Sequence, residues 1–164
     1  MSIALNVRKL VSAVSAGALL VSTLVAAETS ARIPRVAYSS PQPQTVPTLL
    51  DGWRLAERYA ADHACCEVFV GQGDSMLPLY RDHTVLVVEA VPMSELQAGM
   101  TAVFTGDHGR LVAHTLLEKT PRGWSAIGLG NREPDRTCVN RHNLVGVVVK
   151  AFAPGLPGSV VAAQ

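Results

Sequence analysis

Ser75 lies in the stretch of this chain whose residue types best suit nucleophilic chemistry. The apolar residues 68–70 lead into residues 71–78, with the sequence GQGDSMLP. Glycine permits backbone conformations that other residues resist, and proline fixes the direction of the exit. The stretch therefore predicts a strand end that presents one hydroxyl in a fixed place. Gly-Asp-Ser is also ordinary turn chemistry, and a serine becomes a nucleophile only when a base activates it.

A candidate base lies further along the chain, in residues 110–119. Their sequence, RLVAHTLLEK, predicts a strand in which side chains alternate between two faces. His114 then shares an apolar face with Val112 and Leu116, whereas Lys119 falls on the opposite face near the strand end. Because histidine or a desolvated lysine can activate serine, the pattern favours His114 and predicts a solvated Lys119. A core histidine bonded to a carbonyl remains an alternative role for His114.

The elements that must position these residues are short apolar runs separated by turn residues. The predicted strands cover residues 68–70, 84–90, 100–104, 110–118, 124–129 and 144–152, and residues 105–109 form a hairpin turn between two of them. A short amphipathic helix is expected over residues 48–64. With almost no other helix, the pattern predicts a mainly β domain built as a coiled antiparallel sheet or partial barrel.

The N-terminus carries a targeting signal. Arg8 and Lys9 precede the uncharged residues 10–27, which end in Val-Ala-Ala, the small residues that a signal-peptide cleavage site requires. The run also approaches the ~20 residues that cross a bilayer, so a cleaved signal peptide and a retained anchor helix stay open. In both cases we expect an exported protein, anchored or secreted, on the periplasmic or extracellular face of the membrane.

The predicted domain organisation follows from these segments. Residues 1–27 are the signal peptide or membrane anchor, and the proline-rich residues 28–47 are a linker without periodicity. Residues 48–153 form the β domain with its leading helix, and residues 154–164 form a flexible tail. Association with a membrane would run through residues 10–27.

Composition excludes several function classes. The formal charge is +1, from 14 basic and 13 acidic residues, so the composition gives no excess of positive charge for binding nucleic acid. Aromatic residues make up only 5% of the chain, which also argues against a surface on which bases stack. The chain has no Cys-x-x-Cys pair and its histidines are scattered, so we expect no metal site and no cofactor. In an oxidising compartment, one disulfide to Cys138 from Cys65 or Cys66 is plausible.

Several segments together resemble the type I signal peptidases and the related self-cleaving repressor peptidases. Ser75-Met76-Leu77-Pro78 is similar to the Ser-Met-x-Pro nucleophile box of that family. The other similar segments follow in the family's order at residues 81–88, 99–104, 112–116, 128–135 and 144–148. The resemblance covers roughly residues 68–152 and implies the signal-peptidase-like fold. Because His114 lies where the family carries its base, the chain resembles the branch that uses histidine instead of lysine.

This resemblance implies a serine endopeptidase that cleaves extended polypeptides after small residues, with precursor proteins at the membrane as candidate substrates. His114 would accept the proton of Ser75, and Asp135 would orient the imidazole. A solvent-facing turn acid remains an equal alternative for Asp135. The backbone N–H of Ser75 would donate a hydrogen bond to the oxyanion, and Gly73 would leave room for the substrate. Met76 and Pro78 would be further substrate-binding residues. The alternative function is a catalytically silent domain that binds a peptide or protein on the same scaffold.

Overall fold

A computed structural model describes residues 39–155 of the chain, apart from the side chain of His108. Within these residues the protein is mainly β, as predicted, with one open sheet and a single α-helix. The strands are β1 (Gln44–Val46), β2 (Cys66–Val70), β3 (Val85–Glu89), β4 (Thr101–Thr105), β5 (Leu111–Thr120), β6 (Gly123–Ile127) and β7 (Leu144–Pro154). The helix α1 covers Leu49–Asp62, and Met93–Glu95 and Asp107–Gly109 form short 3-10 turns.

The seven strands form one sheet in the order β2-β3-β7-β4-β5-β6, with β1 paired to β7 outside this path. All pairings are antiparallel except that of β1 with β7, which is parallel. β4 and β5 form the predicted hairpin, in which Ala102 pairs with His114. The strands predicted from periodicity are all present, within a few residues of their expected ends.

Helix α1 begins where the sequence offers a capping residue. Thr48 has extended backbone angles, and its hydroxyl accepts a hydrogen bond from the Asp51 N–H at 3.1 Å. This bond satisfies one of the amides that the first helical turn leaves without a partner. Ala56 on the inner side of the helix is completely buried. The predicted amphipathic helix is therefore confirmed, two residues shorter at its C-terminal end.

The core lies on both sides of the sheet because side chains alternate along each strand. Val85 and Val87 of β3 pack under α1 together with Phe152. Leu86 and Val88 of the same strand point to the opposite face. There they contact the segment that follows Ser75, in a cluster that contains Met76, Leu79, Tyr80, Val103, Val148 and Ala151. The helix and the Ser75 segment thus cover opposite faces of β3.

Strand β1 lies inside the segment that the sequence predicted as a linker without strand structure. Its residues pair with the end of β7, Gln44 with Phe152 and Val46 with Pro154. The Ser40 hydroxyl also lies 2.7 Å from that of Thr101, and the Tyr80 hydroxyl donates to the Pro41 carbonyl at 2.8 Å. Residues 40–46 therefore pack on the β domain, because β7 extends far enough to offer them a partner.

The predicted signal peptide or anchor, residues 1–27, lies outside the described residues, as do most of the predicted linker and tail. In the part of the chain that the structure describes, no helix is long and apolar enough to cross a membrane. The three cysteines are unbridged, contrary to the expected disulfide. Cys65 and Cys66 lie at the start of β2, whereas Cys138 lies near Thr120 at the end of β5, so the thiols sit towards opposite edges of the sheet. Burial raises the pKa of the Cys66 thiol, and the nearby Glu89 carboxylate adds to the effect.

Candidate active site

Ser75 lies in the loop between β2 and β3. Backbone hydrogen bonds join the first residues of this loop to its last residues. The Gly71 N–H donates to the Thr84 carbonyl at 2.8 Å, and the His83 N–H donates to the Gly71 carbonyl at 3.0 Å. The Gly73 N–H donates to Oδ1 of Asp82 at 2.9 Å. Gly73 has a φ of +82°, a backbone conformation that favours glycine. These contacts fix the loop that presents the Ser75 hydroxyl.

His114 reaches Ser75 from strand β5. Its Nε2 atom lies 3.1 Å from Oγ of Ser75, within hydrogen-bond distance. Pairing of β5 with β4 fixes the backbone of His114, and the ring makes an edge-to-face contact with Phe104, with centroids 6.5 Å apart. Only 6% of His114 is exposed. The buried histidine therefore has a hydroxyl partner, and not the carbonyl partner of the alternative role.

Asp135 contacts the other nitrogen of the same imidazole. Its Oδ2 atom lies 2.6 Å from Nδ1 of His114. The aspartate lies in the loop after β6, and its N–H donates to the Ala126 carbonyl at 2.8 Å, which fixes its backbone. An ionised carboxylate only accepts hydrogen bonds, so in the neutral imidazole the proton is on Nδ1, and Nε2 can accept a hydrogen bond from Ser75. Asp135 is therefore oriented towards His114, and not towards solvent.

Two glycines bring the loop after β6 close to Ser75. A Cβ atom on Gly128 would lie 2.7 Å from the Ser75 carbonyl oxygen and 2.9 Å from Nε2 of His114. The Gly130 N–H donates to the same carbonyl at 2.8 Å. The sequence placed both residues in a segment similar to the signal peptidases but did not predict their contact with Ser75. A pattern of glycines in one chain gives no signal of such a close approach.

A cavity with a volume of about 320 Å³ opens beside these side chains. Its walls include the end of β2 and the loop behind it on one side, and residues 111–114 of β5 on the other. Three of the predicted substrate-binding residues, Gly73, Ser75 and Met76, line it. Pro78 is exposed and does not line the cavity.

The cavity also borders a free strand edge. β6 pairs with β5 only from Thr115 onward. Residues 111–114 therefore pair with β4 along one edge, and along their other edge no strand pairs with them within residues 39–155. A free edge can accept an extended peptide as an added strand. The Ser75 N–H likewise makes no hydrogen bond within the described chain. Beside Gly73 no atom lies within 4 Å of an added Cβ position.

The remaining predicted residues lie elsewhere. Lys119 is exposed on β5, as expected for a solvated lysine. No group of three or more histidine, cysteine or acidic side chains is placed to hold a metal ion within the described range. The assembled groups suit acyl transfer: a hydroxyl next to an imidazole, an imidazole next to a carboxylate, and a Ser75 N–H that has no hydrogen-bond partner within the described residues.

Comparison with known proteins adds nothing to this geometry: no family model, curated protein or solved structure matches the chain.

Proposed function

We propose that this protein is an exported serine endopeptidase, similar to the type I signal peptidases that use histidine, and that it cleaves extended polypeptides after small residues. The observation that carries the proposal is the chain of hydrogen-bond contacts from Ser75 through His114 to Asp135 at the wall of an open cavity. The open sheet, with the serine after β2 and the histidine on β5, supports a signal-peptidase-like scaffold.

In the proposed mechanism, Oγ of Ser75 attacks the peptide carbonyl while Nε2 of His114 accepts its proton. Asp135 stabilises the imidazolium that forms, and the Ser75 N–H donates to the oxyanion. His114 then returns the proton to the leaving amine, and water hydrolyses the acyl-enzyme with the same base. The free edge of residues 111–114 would hold the substrate as an extended strand.

The small-residue preference rests on the resemblance to signal peptidases and on the limited volume of the cavity. Its apolar walls, which include Phe69, Met76 and Val103, suit small aliphatic side chains next to the scissile bond. The export of the chain rests on its N-terminal sequence alone.

The test is cleavage of an extended peptide library by the purified full-length chain, with Ser75→Ala as the control. We expect cleavage after small residues that is lost in the variant, and an adduct of a serine-selective phosphonate on Ser75. Peptide binding that is equal in both proteins, without cleavage, would instead identify a silent binding domain.

A further inference from the structure

The cavity beside Ser75 contains one permanent charge. Of the residues that line it, Arg81 alone carries a full charge at neutral pH, and none is acidic. Arg81 is half-buried, and within the described residues its guanidinium has no carboxylate within ion-pair distance. A half-buried guanidinium that lacks a partner has lost part of its hydration without gaining a counter-charge.

The nearest acids in the sequence are committed elsewhere. The carboxylate of Asp82 accepts the Gly73 N–H with Oδ1, and its Oδ2 atom lies 2.9 Å from Nδ1 of His83. Asp74 is exposed and does not line the cavity. Asp135 contacts His114. The positive charge of Arg81 is therefore left for whatever occupies the cavity.

We propose that the cavity selects polypeptides that carry a glutamate or aspartate near the scissile bond, and that this carboxylate pairs with Arg81. A guanidinium donates two parallel hydrogen bonds to a carboxylate, and the match gives both strength and orientation. This inference rests on the proposed function, because it names the substrate class of the same site.

Backbone hydrogen bonds hold the turn that carries Arg81 in place at the cavity. Arg81 belongs to the turn in which its carbonyl accepts the Thr84 N–H, and the same turn is bonded to Gly71 at the end of β2. Ser75 and His114 line the same cavity. An extended peptide advances about 3.3 Å per residue, so the acidic residue contacts Arg81 at a fixed spacing from the cleaved bond.

The experiment uses extended peptides with a central Ala-Ala bond and one glutamate moved through the flanking positions, each matched by a glutamine and a lysine peptide. At one position, wild-type protein should cleave the glutamate peptide about tenfold faster than the glutamine peptide in kcat/KM, which corresponds to about 1.4 kcal/mol. Arg81→Gln should remove this preference, and Arg81→Glu should favour the lysine peptide. Arg58→Gln, on the exposed side of α1, is the matched control and should retain it.

The outcomes separate the two proposals. Equal cleavage of the glutamate, glutamine and lysine peptides at every position overturns the acidic preference and leaves the peptidase standing. A preference that persists in Arg81→Gln also overturns it. If nothing is cleaved, the proposed function fails, and the preference is then measured as peptide binding to Ser75→Ala by fluorescence anisotropy. Equal affinities overturn it there. If the Arg81 variants do not fold, the wild-type preference must weaken with added salt, and a salt-independent preference contradicts the ion pair.

Discussion

The backbone of Gly128 packs directly against the imidazole of His114, so that a Cβ atom at position 128 would lie 2.9 Å from Nε2. An added methyl group must displace the ring or the Ser75 backbone, because the Ser75 carbonyl oxygen lies at 2.7 Å from the same position. Misplacement of reacting groups by about 1 Å can cost roughly 100-fold in rate. We expect Gly128→Ala to lower kcat/KM by about that factor.

The control for this variant is Gly155→Ala, since its added Cβ would lie 3.7 Å from the nearest atom, an ordinary contact. Circular dichroism and thermal unfolding should show that both variants fold. Wild-type activity in a folded Gly128→Ala variant would show that the contact between position 128 and His114 has no part in the reaction.

The second prediction concerns the assignment of the base. Ser75→Ala and His114→Ala should each reduce kcat by about 10³-fold or more, and the double variant should be no worse than either single one. The residues act as one unit, so their losses do not add. Lys119→Ala should keep nearly all activity, because this side chain is exposed on β5. Kinetics in which Lys119→Ala is the inactive variant would refute the histidine assignment.

The third prediction concerns Asp135. The asparagine amide in Asp135→Asn can donate as well as accept, so it can pair with His114 without a proton on Nδ1. The imidazole can then carry its proton on Nε2, and in that tautomer Nε2 cannot accept the proton of Ser75. We expect kcat to fall by about 10³-fold with little change in KM. Glu133→Gln, an exposed acid in the same loop, serves as the control and should behave as wild type. If Asp135→Asn retains a tenth or more of wild-type kcat, Asp135 does not orient His114 for the reaction and is only an acid in a turn.

The fourth prediction separates the two contacts of Asp82. Asp82→Ala removes the acceptor of the Gly73 N–H, and a hydrogen bond to a charged group contributes about 1.5–3 kcal/mol. The loop before Ser75 should loosen, and kcat/KM should fall about tenfold. Asp82→Asn should retain most activity, because its carbonyl oxygen still accepts.

His83→Asn is the companion measurement, since asparagine tolerates the positive φ of 63° at this position. It breaks only the exposed pair with Asp82, which we expect to contribute little. If His83→Asn is as damaging as Asp82→Ala, the ion pair and not the Gly73 contact fixes the loop.

The fifth prediction is a loss of stability at alkaline pH through Tyr80. Burial raises the pKa of this phenol well above its ordinary value of 10.0. Because the folded-state pKa exceeds the unfolded one, the folded protein keeps the proton when the unfolded chain loses it. The free energy of unfolding should therefore fall as pH rises above about 10.

Denaturant titrations at pH 8 and pH 11 measure this effect. Tyr80→Phe should be about 1 kcal/mol less stable than wild type at pH 8, because it lacks the hydrogen bond to the Pro41 carbonyl. Its stability should decline less between the two pH values. An equal decline in both proteins would assign the alkaline loss to other groups.

The sequence predicted the strands of the main sheet because each carries its own apolar run and turn residues. A polar side chain on an apolar strand face is also a local signal, and it favoured His114 over Lys119 as the base. The pairing of His114 with Ser75 was predicted from the resemblance to the signal peptidases. β1 gave no such signal: Gln44–Val46 lies among prolines, and only its partners at the end of β7 make it a strand. The same holds for Gly128, whose need to lack a side chain arises from residues distant in sequence. Tertiary contacts, and not local propensity, decided these positions.

The reactive groups come from three separate stretches of the chain: Ser75 after β2, His114 on β5 and Asp135 after β6. The serine and histidine are 39 positions apart, and neither stretch holds the other without the intervening sheet. Under the proposed function, a newly made polypeptide would therefore gain activity only when the sheet has formed and has brought the three side chains together.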